Sequence, residues 1–330
     1  GDAPARCMFL NTAYYTAFGH CVYCDVHGER LYDRNHFYEY ELAQERTTEE
    51  FYSLEYMGTL QEGRTPLMDI EHINVMEDCP YDIMHMTTRI VKMLLKFLTK
   101  IEKNRNRRNK SKSYKMTEGN INNVTRRLLG LRVPVEFQRK TDSFRQTGRW
   151  KSTQCRFFLL YVGPIFLKKR VSSQVYQNFL LLHYSFRFLS NANIERSDMN
   201  TVQLYLEEFI QTFAEIYGIE TVTHYVHALQ HLVKLAQKHG SLDNFSAYLM
   251  ESYLGTFKHF KHGPKNPGQQ VTNRIIERQV ASRDIYIRNK RCKRFSNDFK
   301  YDDGPFPSNL RKENFKTYSQ INLEHCSINV

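Results

Sequence analysis

Tryptophan is almost missing from this 330-residue chain, with Trp150 alone, proline is sparse at 9, and the 7 cysteines are unevenly placed. So few cysteines exclude a small secreted module held together by disulfides and favour a reducing compartment. Long apolar runs are also lacking. Lys, Arg, His or Gln interrupts each one before the roughly 20 residues that cross a bilayer, so neither a transmembrane helix nor a membrane partner is expected. No signal-peptide pattern is present, although the sequence opens on Gly1 and an upstream targeting segment stays open. There is no G-x-S-x-G elbow, phosphate loop or dinucleotide fingerprint, which argues against common hydrolase and nucleotide-enzyme chemistries. Internal repeats and sustained heptads are missing as well.

What is present suffices for a globular chain, with 41% hydrophobic residues for a core. The 47 Lys and Arg against 35 Asp and Glu leave a formal charge of +12. Such an excess favours a polyanionic partner, the plainer reading being a basic solvated surface. Two runs concentrate it. Lys103, Arg105, Arg107, Arg108, Lys110 and Lys112 form one, and Arg288, Lys290, Arg291, Lys293 and Arg294 the other. Each is either a phosphate-contacting or nuclear-import segment or a solvated loop.

The periodicity predicts a mainly helical body. Asp2-Ala3-Pro4 suits the carboxyl edge of a strand, and residues 25–80 are polar with short elements, among them a helix capped by Thr47 with Glu50 three residues on. Apolar residues three and four apart predict helices over Ile83–Leu98, Ser152–Tyr161, Ser172–Leu189, Met199–Tyr217, Thr223–His239 and Asp243–Phe260, with Gly240 stopping the fifth. A turn-rich segment from His262 to Gly268 precedes a short helix over Gln269–Gln279, and the tail from 288 is polar.

Cys21 and Cys24 have the spacing of a zinc knuckle, and His227 and His231 lie one helical turn apart on one face. Together they form the donor set of a closed tetrahedral Zn²⁺ site spanning more than 200 residues of chain, a tertiary staple. A buried thiol pair with ordinary satisfied histidines is the alternative, and His20, His27 and His224 are substitute ligands. Asp82 and His85 sit at a helix entrance, where Asp82 supports the first turn and His85 reaches back to it. Asp2 and Glu251 are isolated acids; carboxylates of this kind bind paired divalent ions at a phosphodiester, and more often they cap or face solvent.

Several patches in order carry a resemblance over about residues 1–280. They include Gly1-Asp2-Ala3-Pro4-Ala5-Arg6, Cys21-Val22-Tyr23-Cys24, Arg46-Thr47, Pro80-Tyr81-Asp82-Ile83-Met84-His85, Trp150-Lys151-Ser152-Thr153, Tyr217-Gly218, Val226-His227-Ala228-Leu229-Gln230-His231-Leu232 and Glu251-Ser252-Tyr253-Leu254. In these the chain resembles DNA transposases of animal mobile elements, whose catalytic core is RNase H-like with two Asp and one Glu. The resemblance implies an α+β fold, a partial RNase H-like core interrupted by a large, mainly helical insertion. It implies that Asp2 matches the second catalytic Asp and Glu251 the closing Glu, with Mg²⁺ in a complete catalytic domain. It also implies DNA as partner and a nuclear location, with the cytoplasm as alternative and a homo-oligomer as a further expectation. The first Asp lies on an earlier strand outside this sequence, so this chain is expected to be inactive alone, as a transposase fragment or derivative or as a noncatalytic DNA-associated or protein-interaction module. The expected divisions are core 1–24, helical insertion 25–220, core helices 221–280 and basic tail 281–330. The chain departs from the family at Ile90, where Gly is usual, at Gln154, near which an acid is usual, and at Leu249 and Met250, where aromatics precede the Glu.

Overall fold

The computed structural model describes residues 2–31, 34–36, 43–99, 114–134, 136–137, 139, 142–191, 196–291, 320–323 and 326–329, with only the backbone course at 34, 196–197, 284–291, 320–323 and 326–329. The chain divides into two compact units, Gly1–Leu249 and Met250–Val330.

The first unit opens with a helix where the sequence suggested a strand edge. Asp2 is extended, and its Oδ1 accepts a hydrogen bond from the Ala5 amide at 3.1 Å, capping α1 (Ala3–Leu10). Pro4 is compatible with that first turn because the N–H it lacks would have no partner there. Asn11, at φ 50°, ends the helix in the left-handed conformation. A hairpin follows, β1 (Glu29–Leu31) against β2 (Arg34–His36), antiparallel with Glu29 opposite His36. Next comes α2 (Thr48–Tyr52), whose start is the reciprocal cap read from the sequence: Thr47 Oγ1 accepts from the Glu50 amide, and Glu50 Oε2 accepts from the Thr47 amide, each at 3.2 Å. With α3 (Val75–Asp78) these pieces enclose a small core of Leu10, Val22, Phe51, Leu60, Met68, Val75 and Met76.

The main core belongs to the helices beyond. They are α4 (Ile83–Thr99), α5 (Glu118–Leu129), α6 (Ser152–Phe157), α7 (Gly163–Leu167), α8 (Ser173–Leu189), α9 (Arg196–Tyr217), α10 (His224–His227) and α11 (Leu232–His239). The expected helix over Ser152–Tyr161 runs on as α6, a π turn over Phe158–Val162, and α7. Pro164 explains the interruption: it has no N–H for the carbonyl four residues back, and its ring clashes there, so the chain widens by one residue. The Gly163 amide accordingly donates to Phe158 O, five residues away. A side chain at Gly163 would meet Phe179 at 2.4 Å and Phe158 O at 2.7 Å, so only glycine lets α8 approach this turn. Phe144, Trp150 and Phe158, all fully buried, pack edge-on or tilted at 5.6–6.1 Å. The expected helix Thr223–His239 is broken into α10, a 3₁₀ turn over Ala228–His231, and α11.

Helix α12 (Tyr248–Phe260) begins at the edge of the first unit. The second unit holds the rest of it, α13 (Pro267–Arg291), and a hairpin of β3 (Gln320–Leu323) with β4 (Cys326–Asn329). Coarsely, then, the chain is α+β, mostly helical with small two-stranded sheets; among the described residues no sheet has more than two strands.

Candidate metal centre

Four side chains separated by two hundred residues of sequence meet in the interior of the first unit. Cys21 Sγ lies 3.3 Å from His231 Nε2, Cys24 Sγ lies 3.4 Å from His227 Nε2 and 3.6 Å from His231 Nε2, and all four donor atoms fall within 4.8 Å of one another. All four residues are buried. With Zn–S near 2.3 Å and Zn–N near 2.0–2.1 Å, a tetrahedral ion sets sulfur–nitrogen edges at about 3.6 Å, which the three short spacings match, while the full 4.8 Å spread would close by about 1 Å around the ion. Two soft thiolates with two imidazoles are also the donor set that favours zinc over hard cations.

Local structure explains how the pairs are held. The Cys21–Cys24 loop lies against residues 44–46, with Arg46 N donating to Tyr23 O at 3.0 Å and Asp25 N to Gln44 O at 2.9 Å. The Arg46 side chain closes the loop from within. Its Nε donates to both Cys21 O and Cys24 O at 3.0 Å, one Nη donates to Gly19 O at 3.4 Å, and the guanidinium lies over the Tyr56 ring at 4.4 Å. Val22, fully buried between the two cysteines, anchors the same loop in the small core. The histidines come from α10 and the 3₁₀ turn, between Val226, Leu229 and Leu232, all fully buried. The side-chain amide of Gln230 lies against the His227 ring, 2.9 Å from Nδ1 and 3.0 Å from Nε2.

Electrostatics agree with a site built for thiolate. Burial alone would raise the Cys21 thiol, but the Cys24 thiol and the His231 and His227 rings outweigh it and hold Cys21 well below its ordinary value. Cys24 moves the opposite way, pushed up by its hydrogen bond with Cys21 and by burial. Without a cation the pair thus shares one proton, and a divalent ion supplies the charge that releases the second.

The substitute ligands stand apart from this group. His20 Nε2 lies 3.4 Å from Cys7 Sγ, and its ring packs at 5.3 Å from that of His224. Burial, then the charge of Arg6, lowers His20 to about 4, and burial, then the neighbouring His20, holds His224 well below the ordinary imidazole value, so both rings are neutral at pH 7. His27 is exposed. Sequence reasoning missed the supports: Arg46; Tyr81, whose hydroxyl is 3.7 Å from Cys21 Sγ; and buried Arg6, which donates to Cys79 O at 2.8 Å and lies 4.6 Å over the Tyr81 ring. All three sit in patches that carried the resemblance, but no spacing rule marks them.

Asp82 and His85 occupy the entrance of α4. Asp82 Oδ1 accepts from the Met84 amide at 3.1 Å and from the Ala247 amide at 2.7 Å, and Oδ2 accepts from the His85 amide at 3.3 Å and contacts His85 Nδ1. Asp2 spends its carboxylate on the α1 cap, and Glu251 is exposed in the first turn of α12, in the other unit. Among the described residues the Cys/His group is the one cluster of three or more such donors, and it includes neither acid. Lys103, Arg105, Arg107, Arg108, Lys110, Lys112, Lys293 and Arg294 lie outside the described residues, and Arg288, Lys290 and Arg291 are described only as backbone of α13. No helix among the described residues is long and apolar enough to cross a membrane. Compared with known proteins, the chain matches no family model, no curated protein and no solved structure at a significant level.

Proposed function

We propose that the chain is a zinc-stapled, mainly helical module of the mobile-element transposase type that associates with DNA and does not itself cleave it. One observation carries this reading: the Cys21-Val22-Tyr23-Cys24 and His227-to-His231 patches, two of those behind the resemblance, meet in a buried four-donor cluster. Their convergence gives both patches one physical purpose, joining the beginning of the chain to the end of its helical body. The +12 charge supports a polyanionic partner. The RNase H-like core belongs to the same proposal through Asp2 and Glu251, but no Mg²⁺ chemistry is assigned to this chain.

The test combines metal analysis with DNA assays. Purified full chain should hold one Zn²⁺, lose it on Cys24→Ala, and bind duplex DNA with an affinity that falls as salt rises. It should leave supercoiled DNA intact in Mg²⁺ or Mn²⁺. Absence of zinc, or salt-insensitive binding, overturns the reading, and Mg²⁺-dependent nicking abolished by Asp2→Asn or Glu251→Gln overturns the noncatalytic part in favour of an active transposase.

A further inference from the structure

Away from the metal ligands, the first unit contains a cavity of about 850 Å³ whose walls come from α6 with its π turn, from α8 and from α9. That volume lies within the roughly 300–1,000 Å³ of clefts that hold small organic ligands. Aromatic rings are unusually open here. Tyr161, Tyr184 and Tyr205 line it at 43%, 55% and 38% exposure, each on a different wall, although a packed helical body would ordinarily turn such rings inward. Arg187, one turn beyond Tyr184 on the same face of α8, lays its guanidinium 5.0 Å over the Tyr161 ring, and among the described residues no carboxylate pairs with it. Arg156 is different: Asp243 holds it in a two-pronged pair at 2.5 and 2.9 Å, so neither is left to bind a charge. Asp198 faces the same cavity from the first turn of α9.

Flat π faces, a guanidinium and a carboxylate with no ion pair between them and any other described residue fit a particular chemistry. Tyrosine and arginine planes stack on bases of any identity, an arginine pairs with phosphate, and an aspartate accepts hydrogen bonds from the N–H groups of a base edge. A duplex keeps its base faces stacked and its base edges paired, so it can use little of this surface. We propose that the cavity holds an unpaired stretch of DNA, with bases stacked on Tyr184 and Tyr205 and a phosphate at Arg187. This inference rests on the DNA-associated reading above and names the form of DNA and the place where it is held.

The experiment compares zinc-loaded full chain binding to a fluorescent single strand of roughly 15 nucleotides and to the duplex of the same sequence, by anisotropy at fixed salt. The single strand should bind more tightly. Tyr184→Ala and Tyr205→Ala should each weaken it about 5- to 100-fold, as expected for loss of one stacked base, and leave the duplex unchanged. Tyr184→Phe, which keeps the ring, should bind within about twofold of the parent. Both tyrosines are exposed, and unaltered zinc content and thermal midpoint confirm that the variants fold. Duplex binding with a single-strand affinity indifferent to either alanine overturns the cavity assignment alone; no binding of either form overturns this and the DNA reading together. Equal losses for duplex and single strand, or tighter and tyrosine-dependent binding of the matching RNA strand, also overturn it.

Discussion

At the scale of single residues, the candidate centre rests on groups outside the donor set as much as on the four donors themselves. Removing a ligand leaves three donors and an open face inside a dry pocket, so His227→Ala or Cys24→Ala should abolish stoichiometric zinc and lower the thermal midpoint. If the staple is worth about 3 kcal/mol, the drop is about 6–12 °C for a unit of this size, readable by calorimetry with parallel metal analysis. An unchanged midpoint would mean that the cluster is only a buried polar group. Arg46 makes a sharper case because its guanidinium serves two carbonyls of the Cys21–Cys24 loop and that of Gly19 at once. Arg46→Lys keeps the charge but lacks the planar fork, and it should lose zinc to a competing chelator about tenfold more readily than the parent. Equal chelator resistance would show that Val22 and the neighbouring backbone hold the loop without it.

Among the elements, α4 shows how far local sequence reaches. Its apolar spacing and the Asp82 start predict Ile83–Leu98, and the helix spans Ile83–Thr99. What the spacing does not disclose is that Asp82 also accepts from the Ala247 amide, 165 residues away, because a long-range hydrogen bond leaves no periodic trace. The same limit hid α5, whose Asn- and Arg-rich stretch has few apolar residues beyond buried Ile121, Val124 and Leu128. It also hid the π turn, which Pro164 announces only once a helix is known to pass through it. At Asp2 the strand edge is replaced by a helix start: a proline two residues on, Pro4, suits a strand edge and a helix's first turn alike, and the carboxylate cap decides for the helix. The candidate zinc donors were legible as two pairs, since offsets of three and four residues are local; that the pairs meet is a property of the fold.

Asp82 yields a test with a definite sign. Burial raises its carboxyl, but the His85 hydrogen bond and the Ala247 and Met84 amides outweigh burial and hold it below the usual carboxylate range. A depressed folded value means that this stability is complete above the unfolded value of about 3.9 and fades as pH falls through the folded one. Asp82→Asn should therefore cost about 1–3 kcal/mol in denaturant melts at pH 7, with the gap to the parent closing below about pH 4. A gap constant across that range would assign the loss to shape and not to charge. Gly163→Ala is the matching packing test: the added methyl has no room beside Phe179, and about 1–3 kcal/mol of destabilisation is expected, with little effect on zinc content.

For the first unit as a whole, the staple joins two cores of unequal strength. The small core around Phe51 and Leu60 has seven buried apolar residues, whereas the main one runs from Tyr81 to Leu242 through eight helices and carries most of the aromatic packing. A link between Cys21 and His231 closes a loop of about two hundred residues, and the entropy removed from the unfolded chain grows with loop length, so the gain is large for whichever part cannot hold itself. That part is the small core, too meagre to offset its own chain entropy. Chelation should therefore act unevenly. In hydrogen exchange, amides of α1, of the Cys21–Cys24 loop and of α2 should lose protection when zinc is stripped, while those of α4, α8 and α9 keep most of theirs. Added zinc should restore the pattern. Uniform loss over both cores would make the ion a condition of folding for the entire unit, and no change in either would remove the staple as the reason these distant residues meet.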